Sequence, residues 1–182
     1  MISPIDQQRL LALAHRVLEA KVRRTAMPDC DVQIEATSGA FVSIFRRGEL
    51  RGCLGRLNPG LPLAHTVMQL AQAVADSDPR FDRVAPWELD DISLEISVLT
   101  PEREVTSINE IEVGRHGLIV EQGLSRGLLL PQVATEMAWD RDTFLNHTCL
   151  KAGLPAEAWK RGARIFIFEA DVFGERVSRP TH

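Results

Sequence analysis

The sequence predicts an α+β fold in which a mostly antiparallel sheet is flanked by helices, with a smaller second lobe. Apolar residues recur at helical spacing in several segments, and they alternate with polar residues from Ile92 to Val98, as in a half-buried strand. The strands come as hairpin pairs without a regular βαβ alternation, which favours antiparallel pairing. With 182 residues, 45% of them hydrophobic, the chain is predicted to be a single domain over residues 1–182, in one or two lobes.

The first half of the chain is predicted to contain two helices and three strands. The first helix is capped by Asp6 and ends near Arg24, and a second helix covers residues 62–75. Residues 41–45 are rich in aromatic and β-branched side chains and form a strand. A turn at residues 46–49 leads into a returning strand, so these two strands make a hairpin.

The second half of the chain is predicted to contain three strands and two helices. These elements are strands at residues 118–121 and 127–130, a short helix from Pro131 to Ala138, a helix capped by Asp140 or Asp142 with Gly153 as its C-terminal cap, and a final strand at residues 164–173.

Composition and charge exclude several classes of protein. The net charge of −4 disfavours tight non-specific binding to nucleic acid. No apolar run reaches the roughly 18 residues needed to span a bilayer, and the N-terminal segment lacks a signal-peptide pattern. The three cysteines are widely and irregularly spaced, which favours reduced thiols. We therefore expect a cytoplasmic protein that does not associate with membranes.

The most distinctive segment is the hexapeptide Leu50-Arg51-Gly52-Cys53-Leu54-Gly55, which is followed by Arg56. Its thiol lies between two glycines, which permit close approach by another group. The neighbouring guanidinium groups favour a thiolate over a thiol. Two interpretations stay open. Cys53 is either a reactive group (a nucleophile, metal ligand or redox centre) or a small residue in a packed or ridge-forming strand.

Two further clusters contain residues suited to acid–base chemistry. His116 lies in a glycine-flanked loop and is either a general acid or base or a turn histidine. Asp76, Asp78 and Asp82 surround Arg80, and we interpret them as a capping and turn cluster that Arg80 neutralises. Cysteines and histidines show no metal-ligand spacing, so no metal site is predicted and the cofactor stays unknown.

Several segments, in order along nearly the whole chain, resemble the AMMECR domain family. They are the hexapeptide, Asp78-Pro79-Arg80-Phe81, the segment at residues 88–99, Gly114-Arg115-His116-Gly117-Leu118, Leu130-Pro131-Gln132-Val133-Ala134, Trp139 and Lys151-Ala152-Gly153-Leu154. The hexapeptide departs from the usual family pattern in one position, where Leu54 replaces Ile. The resemblance implies an α+β fold with a larger and a smaller lobe, and it implies that the functional site is the hexapeptide.

The resemblance also implies partners. Microbial proteins of this kind look like one component of a three-part system. The other components are a Memo-family protein, which is similar to non-haem-iron dioxygenases, and a radical-SAM enzyme.

The sequence therefore predicts an interaction or accessory module that works with Memo-family and radical-SAM proteins. The predicted binding residues are those of the hexapeptide and its flank: Leu50, Arg51, Gly52, Cys53, Leu54, Gly55 and Arg56.

Two alternatives and two questions stay open. The first alternative is an enzyme with Cys53 as nucleophile or redox thiol, Arg51 lowering its pKa and His116 carrying a proton. The weaker alternative is a nucleic-acid-binding protein that uses Arg46 and Arg47 together with Arg51 and the arginine that follows the hexapeptide. Whether the chain is an enzyme and whether it forms a homodimer are left open by the sequence.

Overall fold

The computed structural model describes residues 1–175, so residues 176–182 of the predicted domain lie outside the described part. The chain divides into two compact units, one formed by Met1–Leu99 with the segment that begins at Asp171, and the other by Thr100–Ala170. A four-stranded sheet with the order β2-β1-β3-β8 and a second with the order β4-β7-β5-β6 are built from antiparallel pairs. The predicted α+β class with antiparallel sheets and helices is confirmed.

The helices and strands follow in chain order, with short 3₁₀ turns between some of them. They are α1 (Pro4–Arg23), β1 (Ala40–Arg46), β2 (Glu49–Arg56), α2 (Leu63–Val74), β3 (Ile92–Leu99), β4 (Arg103–Glu104), β5 (Gly117–Gln122), β6 (Ser125–Leu129), α3 (Pro131–Glu136), α4 (Arg141–Lys151), β7 (Arg164–Phe168) and β8 (Ala170–Gly174). Among the described residues, none of the helices combines the length and apolar composition needed to cross a membrane.

The first helix begins earlier than predicted. The Asp6 backbone N–H donates to Ser3 Oγ at 3.2 Å, so the N-cap is Ser3 and the prediction of Asp6 as the cap was wrong. The reason is Pro4, whose ring is well tolerated in the first turn of a helix. Asp6 instead lies in the first turn, where its carboxylate accepts a hydrogen bond from the Ser3 hydroxyl at 2.8 Å. In this helix, Leu10, Ala14, Val17 and Leu18, which recur at helical spacing, are buried in the core of the unit, and Val22 packs against that core partly buried.

The β1–β2 hairpin is closed by a two-residue turn. Arg47 and Gly48 both have positive φ, 51° and 82°, as a type I′ hairpin turn requires. The pairing register shifts by one residue after Ile44, which faces Gly52, because Arg51 is an additional residue in β2. This β-bulge lies at the second residue of the hexapeptide, and bulges change the direction of the side chains beside them.

The predicted final strand is in fact two strands that join different sheets. It breaks at Glu169, whose backbone N–H donates to Thr100 Oγ1 at 2.8 Å and whose carbonyl accepts from the Thr100 N–H at 2.9 Å. These bonds replace sheet pairing at that position, so β7 pairs within the second sheet and β8 within the first. Earlier in the second unit, the helix cap that the sequence left open is Asp140, which accepts from the Thr143 N–H at 2.8 Å.

Close packing of β6 against the end of α4 generates a test of the second unit. A Cβ at Gly127 would lie 2.3 Å from the Ala152 nitrogen, which is backbone and cannot easily move. We expect Gly127→Ala to lower the free energy of unfolding by about 1–3 kcal/mol, as overpacked sites do. Urea unfolding measures the change, with Leu124→Ala in the exposed turn of the same hairpin as the control. A Gly127→Ala protein as stable as the control would contradict this packing.

Candidate functional site

The hairpin presents a partly exposed face on the side opposite the core. Val42 and Ile44 are buried, and residues paired across an antiparallel ladder share a face of the sheet. The opposite side, here called the outer face, therefore carries Phe41, Ser43, Phe45, Leu50 and Cys53. Leu50 is the most open of these side chains, with 40% of its surface exposed.

Both glycines of the hexapeptide are required by packing. A Cβ at Gly52 would lie 3.0 Å from Val74 Cγ2, so this glycine lets the end of α2 approach the strand. A Cβ at Gly55 would lie 2.3 Å from the ring of Phe41, which covers this glycine on the outer face. The two glycines around the thiol thus admit a helix on one side of the sheet and an aromatic ring on the other.

Cys53 is held by side chains because β2 is an edge strand. Its backbone N–H donates to Asp78 Oδ2 at 2.9 Å, and its carbonyl accepts from Arg80 Nη2 at 3.4 Å. Its sulfur accepts a hydrogen bond from the Ser43 hydroxyl at 3.1 Å. The thiol is neither fully buried nor fully open. The backbone polar groups of Cys53 are therefore satisfied within the unit, and the sulfur is the atom left for contact with a ligand.

Asp78 links the hexapeptide to the segment that follows α2. The carboxylate is only 4% exposed and binds Arg80 through two hydrogen bonds, from Nε at 3.0 Å and from Nη2 at 2.8 Å. These bonds hold the pKa of Asp78 well below its usual range despite its burial, and the Cys53 N–H contributes to the shift. Neutralisation by Arg80 agrees with the predicted turn cluster, but Asp76 binds Lys21 instead, at 3.2 Å.

Arg51 has a second buried carboxylate as its partner. Its Nε and Nη2 donate to the two oxygens of Glu88 at 2.9 and 3.1 Å, and its Nη1 donates to the Asp82 carbonyl at 2.8 Å. Burial alone would raise the pKa of Glu88, but hydrogen bonds from Arg51 and the Ala85 N–H hold it below its usual value. Sequence reasoning missed Glu88, because its partner lies 37 positions earlier in the chain.

The other arginines near the hexapeptide are also engaged. Arg47 pairs with Asp91 at 3.1 Å, and Arg46 lies 3.6 Å from the same carboxylate. Arg56 donates to the Gln69 side-chain oxygen at 2.7 Å. Three of the four arginines considered for nucleic-acid binding, including that of the hexapeptide, therefore have a carboxylate partner within the unit.

The two residues predicted as catalytic belong to different units. His116 lies in the Thr100–Ala170 unit and is 8% exposed. Its Nδ1 accepts from the Glu112 N–H at 3.0 Å, so the neutral ring carries its proton on Nε2, which lies 3.8 Å from a Glu169 oxygen. This geometry anchors the loop before β5, and a role for His116 in proton transfer stays a prediction.

The other two cysteines are Cys149 in the second unit and Cys30 in the first. Cys149 is fully buried in α4, and burial raises the pKa of its thiol. The sulfur of Cys30 lies 4.0 Å from His65 Nδ1. Within residues 1–175, no group of three or more His, Cys, Asp and Glu side chains is arranged to hold a metal ion.

Comparison with known proteins identifies relatives that extend over most of the chain. A model of the AMMECR1 family matches residues 11–173. A protein of Methanothermobacter thermautotrophicus is 49% identical over 144 residues, 75% of each chain, and one of Thermofilum pendens is 42% identical over 191 residues, covering 93% of this chain and 90% of its own. The crystal structure of an uncharacterized protein from Pyrococcus horikoshii has a TM-score of 0.82 and 36% identity, and the match covers 96% of this chain and 94% of that one.

The Asp78 hydrogen bonds predict a pH-dependent contribution to stability. At neutral pH we expect Asp78→Asn to lower the free energy of unfolding by about 2 kcal/mol, because it weakens hydrogen bonds made by a buried charge. The pKa of Asp78 is lower in the folded than in the unfolded chain, where it is about 3.9. The stabilisation is therefore complete above that value and is lost as the pH falls through the folded-state pKa.

Urea unfolding of the wild type and Asp78→Asn, from neutral pH into acid, measures this contribution. The difference between the two proteins should be constant at neutral pH and shrink below about pH 4. Asp29→Asn changes an exposed aspartate of the same unit and is the control. A difference that does not change in acid would show that the charge of Asp78 is not the source of the stabilisation.

Proposed function

The chain belongs to the AMMECR1 family, and on that premise we propose that it is an interaction module that docks a partner protein through the outer face of its hairpin. The observation that carries this proposal is that some groups of the hexapeptide are bound within the unit while others stay exposed. Arg51 and the backbone of Cys53 are bound within the unit, whereas the Leu50 side chain stays 40% exposed.

The outer face has the properties of a docking surface. Partly exposed apolar side chains grouped on one face mark interaction sites more often than scattered ones do. Phe41 and Phe45 flank Ser43 along β1, and Leu50 lies opposite Phe45 in the neighbouring strand. Because the strand is fixed by Asp78 on its open edge, binding requires little ordering of the backbone, and that lowers the entropic cost of association.

The family resemblance implies the identity of the partner. It indicates a Memo-family protein or a radical-SAM enzyme, with this chain as the accessory component. A homodimer through the same face is the competing arrangement, and it predicts self-association at the concentrations used for binding.

Substitution of Leu50 tests the docking surface. We expect the wild type to form a complex with a purified Memo-family or radical-SAM protein. Leu50→Asp should raise the dissociation constant of that complex at least about tenfold, because a charge would replace an apolar contact. Calorimetric titration measures the affinity, and gel filtration of the mixture and of this chain alone separates a complex from a homodimer.

Leu124→Asp is the matched control for this experiment. Leu124 is also an exposed leucine at a hairpin, but it belongs to the other unit. We expect neither substitution to change the free energy of unfolding by more than about 0.5 kcal/mol, as at other exposed sites. Equal affinity of wild type and Leu50→Asp, or no complex with either partner, would contradict docking through this face.

One observation favours the alternative of an enzyme that uses Cys53. The Ser43 hydroxyl donates to the thiol at 3.1 Å, and a hydroxyl in that position also stabilises a thiolate. The Arg80 guanidinium group donates to the carbonyl of the same residue at 3.4 Å. This alternative places the chemistry on the outer face and does not need an exposed Leu50.

The rate of alkylation of Cys53 against pH separates the two functions. The test uses a chain with Cys30→Ser and Cys149→Ala, so that only one thiol reacts, and Ser43→Ala as a comparison. An enzyme requires fast reaction with a midpoint well below the roughly 8.5 of a free thiol, and Ser43→Ala should then raise that midpoint. A docking module requires neither result, and slow alkylation that Ser43→Ala leaves unchanged would contradict the enzyme.

A further inference from the structure

A cavity lies where α1 and α2 end, within the unit that contains Met1–Leu99. Its volume is about 330 Å³, and an adjoining cavity of about 410 Å³ shares several of its lining residues. The walls combine apolar side chains with basic ones and with one carboxylate, that of Asp76. Val22, Met27 and Val84 contribute apolar surface, and Arg24 and Arg83 contribute guanidinium groups. This volume is large enough for a small organic molecule.

The two arginines differ from the other cations at this end of the unit. Lys21 is paired with Asp76 at 3.2 Å, and Arg23 is paired with Glu19 at 3.0 Å. In the part of the chain that the structure describes, neither Arg24 nor the arginine at position 83 has a carboxylate within ion-pairing distance. Both border the two adjoining cavities. Asp76 also lines the first cavity, but its carboxylate is ion-paired with Lys21, so the positive charges of the two arginines exceed the negative charge beside this space.

The backbone fixes the positions from which both arginines project. Arg24 caps α1 in the left-handed region, with φ 57°, and its N–H bonds to the last turn of the helix. The Arg83 carbonyl accepts from Arg51 Nη2 at 3.3 Å, and the next N–H, that of Val84, donates to the Ala75 carbonyl at 2.8 Å. A ligand would therefore meet a preformed frame in which only side-chain ends adjust.

We propose that this cavity binds a phosphate monoester whose organic group is small and apolar. Two guanidinium groups and the Thr25 hydroxyl offer more donors than a carboxylate accepts, and they suit the three oxygens and double charge of a phosphate. Val22 and Val84 then contact the organic group. Neither the hexapeptide thiol nor the outer face takes part in this site, so the site is independent of the docking function.

The site also shares a structural element with the hexapeptide. Arg51 holds the carbonyls of Asp82 and Arg83, which precede the cavity wall at Val84. A ligand on Arg83 therefore binds a segment whose other side is fixed by the hexapeptide. Ligand binding should therefore change the environment of the backbone amide of Arg51 as well as those of residues 83–84.

Titration with phenyl phosphate, followed by calorimetry and by amide NMR signals, tests this site. We expect saturable binding that weakens with added salt, and shifts of the amide signals of Arg24, Val84 and Arg51. The double variant Arg24→Gln/Arg83→Gln should weaken binding by at least about tenfold, because charge-assisted hydrogen bonds to phosphate are lost. Arg161→Gln, which removes an exposed arginine of the other unit, should bind like the wild type.

Three outcomes would overturn the proposal. One is the absence of saturable binding by the wild type, and another is equal binding by the wild type and the double variant. The third is equal affinity for phenylacetate, which would make the site one for carboxylates. The opposing explanation is that the two arginines only stabilise the C-terminal ends of two helices, which carry partial negative charge. It predicts that the double variant loses stability in urea unfolding while the wild type binds no phosphate ester.

Discussion

The open edge of β2 is the constraint on which the hexapeptide region depends. An edge strand presents unpaired backbone groups that attract other strands, and folded proteins cover or block such edges. Here the cover consists of side chains, because Asp78 and Arg80 bind the N–H and carbonyl of Cys53. A second pair, Arg51 with Glu88, fastens the following segment to the same strand. Two carboxylates that are each only 4% exposed are tolerated because each is bound by a guanidinium group and by a backbone N–H.

This constraint explains most of the hexapeptide residue by residue. Gly52 admits the end of α2, and Gly55 lies under the ring of Phe41. Arg51 is the additional residue of a bulge, and its guanidinium is bound to a carboxylate inside the unit. Packing and internal hydrogen bonds thus require the pattern of glycine and arginine in the absence of any ligand. Packing and internal hydrogen bonds do not account for Leu50 and the sulfur of Cys53. For that reason the proposed function is based on the outer face.

Local patterns predicted the elements well, and contacts between distant residues could not be predicted. The alternation in β3 and the position of the β1–β2 hairpin follow from side-chain periodicity and turn chemistry, which act over a few residues. The same local reasoning misplaced the first helix cap and joined β7 to β8, because Pro4 and the Thr100–Glu169 bonds decided those boundaries. For the site, the sequence identified the strand and the neutralised aspartate. It gave no sign of the long-range bonds that reach the hexapeptide from Asp78 and Glu88, which lie 25 and 37 positions from their partners.

Because Arg51 connects the hexapeptide to the wall of the cavity, a substitution in the hexapeptide can act through the fold as well as through partner binding. Its guanidinium holds the carbonyls of residues 82 and 83 on one side, while Leu50 beside it faces outward on the strand. A change at Arg51 therefore removes support from the cavity wall and from the bulge together, and a loss of function in such a variant does not locate a binding site. A change at Leu50 leaves every one of these hydrogen bonds in place. The hexapeptide is thus better understood as two groups of residues, one that supports the fold and one that meets a partner, and only variants of the second group report on docking.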